Sequence, residues 1–275
     1  MTEPATAPRP LPPALAVGWG FGATAGLVLS AQILASMRGA VPDLVSLGLV
    51  EGIVLFVTSA LVLRLHQGER ELAPALGLRA THPGLVPLAL ALGVVLHAPA
   101  EWLYERIERL WPTPADDLAA KAALLAADGP VRQVALVLVV ACGIPVVEEI
   151  FYRGALFGAV RRGAGALSAS LATGAAFVLG HFDLRTWAPL ALVAAALSLV
   201  RASGGSLLPC VALHVGFNAT TVGALLLGLS APASPASLGA GATLAGTALT
   251  VALGWGIVAI GRRSAVAAAA RAADD

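Results

Sequence analysis

Charge is what this chain has least of. Its 17 Lys and Arg and 16 Asp and Glu make up 12% of 275 residues, about half the share of a typical soluble domain, while 58% of the residues are apolar. That shortage excludes a disordered chain and an ordinary soluble globule. A net charge of +1 gives no basic surface, so no nucleic-acid partner is expected. Cysteine is scarce too. Cys142 and Cys210 lie in apolar surroundings, at no zinc-finger spacing and too few for a disulfide framework, and read as small buried side chains. Lysine is almost missing, Lys121 standing alone among the basic residues. With so much Ala, Gly and Val, that pattern points to a GC-rich bacterial genome and says little about chemistry.

The spacing of the few charges is more telling than their number. Residues 10–37 carry none, and neither do residues 202–261, sixty in a row, room for two membrane crossings at about 20 residues each. The N-terminal apolar stretch is too long for a signal-peptide core and lacks a basic start, so it reads as a retained span. Spans are expected at 14–36, 44–63, 84–100, 131–147 continuing to about 160, 164–182, 186–200, 206–228 and 240–260. The fold class is therefore an all-α, polytopic integral membrane bundle of about eight helices that meets membrane lipid directly. Solid apolar runs without alternation exclude a strand barrel. Residues 1–13 and 264–275 read as tails around one transmembrane domain at 14–263, with turns at Gly204, Gly205 and 232–235. Arg64, Arg70, Arg79, Arg161, Arg162, Arg262, Arg263 and Arg271 fall on one side if both termini are cytoplasmic, which suits a multi-pass protein of the bacterial plasma membrane. Residues 101–128 are acidic and face outward, with Trp102, Ile107, Leu110 and Trp111 opposite Glu101, Glu105 and Glu108 as in an interfacial helix.

An ionisable residue within a span costs at least about 2.5–3.5 kcal/mol on insertion scales, so the exceptions carry information. They are Glu51, Glu148, Glu149 and Arg153, joined by His181, His214 and Asn218. In the string EEIFYRG, Glu149 and Arg153 stand four apart in the favourable acid-first order and can neutralise each other. Glu148 points about 100° away and is left for another task. Pro145 removes a helical hydrogen bond and is expected to bend or restart the helix just before the carboxylates. The plain alternative is a structural ion cluster. Phe177 shares a helix face with His181, and His214 shares one with Asn218. Together, a free Glu, two His and an Asn could supply a general base, a proton-sharing histidine and oxyanion donors. One Glu and two His are equally a ligand set for a divalent metal such as zinc. Glu51 is expected to pair or to line the entrance to a cavity, His97 to sit at the interface, and Asp183 and Arg185 to pair at the membrane surface.

In order and on successive apolar segments, EEIFYRG fits EExxxR, Phe177–His181 fits FxxxH and His214–Asn218 fits HxxxN. The set resembles the CPBP family, the type II CAAX-protease-like intramembrane peptidases that include CAAX prenyl endopeptidases and bacteriocin-processing enzymes. The resemblance covers about 131–228, the expected catalytic core. It implies a helical membrane bundle with a cavity leading to the site, and peptide-bond hydrolysis. By the same resemblance Glu148 is the general base, His181 its partner, His214 and Asn218 the oxyanion site, and Arg153 and Phe177 supporting residues. Glu149 is placed with the support or closer to the chemistry. Should a metal take part, Glu148, His181 and His214 are its ligands. No HExxH occurs, which excludes a zincin. Prenylation is not expected in a bacterium, so the implied substrates are membrane-bound or secreted peptides and proteins, bacteriocin-like ones included. The alternatives are a proton- or ion-coupled transporter, which lacks its matching pair of broken helices, and a non-catalytic immunity or scaffold protein of the same fold.

One difficulty is built into these spans. A continuous helix over 131–162 would be about 48 Å long, and Glu148 and His181 would approach opposite faces. Either the helix breaks at Pro145 or the turn is not where 163–168 suggests.

Overall fold

The computed structural model describes residues 9–40, 42–68, 71–125, 129–229 and 238–274. Among them the ordered elements are all helical, and seven stretches are long and apolar enough to cross a membrane. The chain is an integral, multi-pass membrane protein. The elements in order are α1 (Pro13–Arg38), α2 (Leu44–Gln67), α3 (Leu72–Leu76), α4 (Leu85–Leu110), α5 (Ala115–Leu125), α6 (Pro130–Leu136), α7 (Ile144–Glu149), α8 (Phe157–Gly180), α9 (Trp187–Gly204), α10 (Leu208–Leu226) and α11 (Ala240–Asp274). Two π-helical segments, Val137–Gly143 and Ile150–Leu156, bracket α7.

Local sequence explains the ends. Pro13 opens α1, where a missing N–H costs nothing, and Gly39 closes it in the left-handed conformation. Asp43 caps α2 by accepting from the Ser46 N–H at 3.0 Å, and that bond holds its carboxyl below the usual range. Glu108 stops α4 by accepting from both the backbone N–H and the hydroxyl of Thr113.

Helix contacts rely on small residues, because lipid tails are as apolar as the side chains and close van der Waals fit must supply the attraction. A Cβ on Gly93 of α4 would run into the Leu213 carbonyl of α10, and one on Gly216 would meet the Leu90 carbonyl. Two larger apolar clusters result, beside a small one of Leu136, Ala141 and Val222. The first joins Leu11, Ala16, Leu55, Phe151, Phe157 and Phe177; the second joins Leu85, Leu92, Leu197, Leu213 and Ile257 from α4, α9, α10 and α11. Large apolar side chains such as Leu49, Ile53, Phe56, Leu244 and Trp255 point outward, as a lipid-facing surface requires.

The apolar stretch Pro130–Gly180 is folded back on itself. Its backbone leaves helical geometry at Gly165 (φ 80°, ψ 174°), and Phe177 on the returning leg touches Tyr152 and Arg153 on the outgoing one. So the difficulty over Glu148 and His181 disappears: the chain reverses at Gly165, and both residues stand about 25 Å of helix from that corner. Pro145 does not break the helix. Gly143 and Ile144 before it keep helical angles, and the strain is taken up as π-helical widening.

Three other expectations change. Residues 101–110 continue α4 through Pro99 instead of forming a separate interfacial helix, and the separate short helix is α5. His97 is thereby inside the bundle, donating to or accepting from the Thr221 hydroxyl at 2.8 Å and stacked on Phe217. The tail expected at 264–275 is helical to Asp274. Most of the N-terminal tail, Arg70 and the turn at 232–235 lie outside the described residues.

Candidate active site

Between the two apolar clusters lies a cavity of about 350 Å³. Glu148, Tyr152, Phe177, His181, His214 and Asn218 line it, with Thr24 and Glu51 on the walls given by α1 and α2. Six of the eight lie between residues 148 and 218, so the cavity is mostly the work of one continuous stretch.

The carboxylates owe their placement to the π segments. Pro145 has no N–H to give to the preceding turn, and the Val140 carbonyl in that turn accepts instead from the Asn218 side-chain amide at 3.0 Å. Asn218 thereby braces the helix from α10 while facing the cavity. Glu149 is fully buried. One of its oxygens accepts from Arg153 at 2.9 Å and from His214 Nδ1 at 2.9 Å. A carboxylate only accepts, so Nδ1 of His214 carries the proton and the ring orientation is fixed. Its other nitrogen, Nε2, stands 3.5 Å from Glu148 Oε2. One imidazole is thus held between two adjacent carboxylates, each on its own nitrogen.

His181 ends α8. Its Nδ1–H donates to the Phe177 carbonyl at 2.8 Å, which leaves Nε2 free, and the residue is exposed at the cavity mouth while His214 lies on the floor. Phe182 beyond it sits at φ 45°, a conformation uncommon for a bulky residue. Asp183 secures that bend, bonding Lys121 of α5 at 3.0 Å and Arg185 at 3.4 Å. Burial works against ionisation of Asp183, but Lys121 and Arg185 outweigh it and hold the carboxyl below the usual range. The expected Asp183–Arg185 pair is present, and Lys121 adds the tie to α5. Phe177 is the hub: its ring lies 4.8 Å from that of His181 and 5.9 Å from that of His214, with the Arg153 guanidinium 4.7 Å from its centre.

Of the seven motif residues, Glu148, Phe177, His181, His214 and Asn218 line this cavity, and Glu149 and Arg153 pack against His214 and Phe177 behind it. The partner of Glu148 differs from expectation: His214, and not His181, faces it. Nor do Glu148, His181 and His214 converge as metal ligands, and among the described residues no three His, Cys, Asp or Glu side chains are placed to hold an ion. Glu51 lines the cavity as expected. Tyr152 was missed, although its position four residues after Glu148 puts both on one helix face. Arg201 and Gln67, which bond the second π segment, left no motif to find.

Residues 130–220 match the family model described as Type II CAAX prenyl endopeptidase Rce1-like. Over about a third of the chain, then, this protein is similar to the type II CAAX prenyl endopeptidases. No curated protein and no solved structure matches the chain. The matched segment runs from α6 into α10 and holds all seven motif residues, and the family it resembles is one of membrane proteases. Outside it, α1 and α2 supply the far walls of the cavity, and α4 and α11 supply half of the second apolar cluster.

Proposed function

We propose that the protein is an intramembrane endopeptidase that hydrolyses a membrane-associated peptide or protein. The observation that carries the reading is His214 held between Glu149 and Glu148 at the floor of a cavity inside a membrane bundle. Glu148 takes a proton from water as the water oxygen bonds to the scissile carbonyl carbon. His214, held in one tautomer by Glu149, shares that proton through Nε2 and returns it to the departing amine as the C–N bond breaks. The carbonyl electrons move onto oxygen. That oxyanion is met by the second N–H of Asn218 and, when the ring is protonated, by His181 Nε2–H. A second groove of about 470 Å³, nearly all apolar, runs between α2 and the 138–147 stretch and shares Ile144 with the cavity. It offers an apolar substrate a way in from the lipid. The family description names a CAAX prenyl endopeptidase; the composition of this chain favours bacterial membrane-bound or secreted peptides as substrates, bacteriocin-like ones among them.

Reconstituted protein and its Glu148→Gln variant, incubated with a peptide library and read by mass spectrometry, test the reading. Loss of roughly 10²- to 10⁴-fold in rate is expected from removing a general base; cleavage by the parent that persists in the variant overturns the mechanism. The proposed steps use no metal. Turnover is expected to survive exhaustive chelation, with metal content followed by mass spectrometry; loss on chelation with recovery on adding zinc would return Glu148, His181 and His214 to the role of ligands.

A further inference from the structure

Among the described residues, Arg201 is a buried charge with no acid in ion-pair contact. Only 5% of it is exposed, yet its Nε donates to the Arg153 carbonyl at 2.9 Å and its Nη1 to the Gly205 carbonyl at 2.8 Å, while the guanidinium stacks on Phe157. Burying a cation on neutral carbonyls is costly and calls for a reason.

The reason lies in the π segment Ile150–Leu156. At its end the Phe157 N–H bonds the carbonyls of Tyr152 and Gly154 and passes over that of Arg153. In an α-helix Phe157 would be the partner of the Arg153 carbonyl. Here Arg201 of α9 takes that place, and two residues on Gln67 of α2 donates to the Ala155 carbonyl at 3.1 Å. A π turn holds one residue more than an α turn and so rotates everything before it by about 100°. What stands before it is Glu148 and Glu149.

We propose that Arg201 is a positioning residue of the site. By holding the carbonyl that the π turn releases, it fixes the rotation at which the two carboxylates meet His214. The path is short and every step is a contact: Arg201 on the Arg153 backbone, the Arg153 side chain on Glu149, Glu149 on His214 Nδ1, and His214 Nε2 opposite Glu148. Losing Arg201 lets Phe157 reclaim the Arg153 carbonyl, the turn tightens to α, and Glu149 swings off the imidazole. Gly77 makes room for this residue, since a Cβ there would collide with its guanidinium.

The proposal rests on the peptidase reading for its kinetic arm but not for its spectroscopic one. Arg201→Met and Arg201→Lys are reconstituted in lipid and compared with the parent by histidine-labelled solid-state nitrogen NMR, by kcat and KM on a peptide the parent cleaves, and by thermal midpoint. For Arg201→Met the expected result is loss or displacement of the His214 Nδ1–H resonance with the other four histidines unmoved. Its kcat falls roughly 10- to 100-fold, the cost of a small misplacement, with KM within about twofold. Arg201→Lys, able to bond one carbonyl, recovers part of both. A lowered thermal midpoint with the His214 resonance and kcat unchanged makes Arg201 merely structural and overturns the proposal. If Arg201→Met does not fold, an Arg201→Gln protein, its side chain too short to hold the Arg153 carbonyl, with parental His214 resonance and kcat overturns it equally. A parent that cleaves nothing refutes the peptidase reading alone, and the NMR comparison still decides on Arg201.

Discussion

Glu149 and Arg153 illustrate how little a buried ion pair says about stability and how much about function. Both are wholly buried and joined at 2.9 Å, and removing one partner from such a pair costs about 3–5 kcal/mol because the other is stranded. Glu149→Gln is therefore expected to lower the unfolding free energy in detergent by about that much. Glu149→Leu with Arg153→Met, which removes both charges, is expected to restore most of the stability and none of the activity, since His214 would lose the group that orients it. Chemical denaturation and peptide cleavage on the same samples separate the two effects. A double variant as unstable as Glu149→Gln would contradict the account. These residues were legible because their spacing alone brings them together: four apart on a helix, acid first. His214 as the partner of Glu148 was not legible. Motifs on separate helices give an order along the chain, whereas the pairing depends on how α7 and α10 are rotated against each other.

Among the elements, α4 and α10 fit most closely, and glycine makes that possible. Gly93→Ala sets a methyl group against the Leu213 carbonyl and the Phe217 backbone, one residue from His214 and one from Asn218. It is expected to cost about 1–3 kcal/mol, as overpacking does, and to reduce cleavage by shifting α10. Gly22→Ala on α1 meets nothing within 4 Å and is expected to be neutral or slightly stabilising in both assays, given the helix propensities of the two residues. Equal losses in the two variants would show that backbone flexibility and not contact is at stake. Span positions could be read from hydropathy to within a few residues for most helices, but α4 ran on past Pro99 to Leu110. Its last ten residues are amphipathic, and whether such a stretch continues a span or starts a new helix is decided by what it packs against. The π segments were equally hidden. They persist because Asn218, Arg201 and Gln67 reach across from other helices to the carbonyls they release, and no local pattern announces a donor 48, 78 or 88 residues away.

The whole molecule sets two apolar clusters side by side and keeps its ionisable groups in the seam, with a lipid-facing exterior of Leu, Ile, Phe and Trp. Low charge could be read as membrane residence, and the few buried charges as a site. The corner at Gly165 falls within the turn read at 163–168; what the sequence concealed was that Glu148 and His181 stand at the same depth from it. That corner makes chain length a part of the site. Arg153 stands twelve residues before it and Phe177 twelve after, so the outgoing and returning legs are matched like the two arms of a folded ruler. Deleting one residue from either leg would shift its far half by about 1.5 Å and turn it by about 100°, carrying Glu148 or His181 out of the cavity they share without touching either. An insertion at the corner leaves the spacing within each leg intact. In this stretch the chain can vary in residue identity at many positions, but in residue count only at the bend.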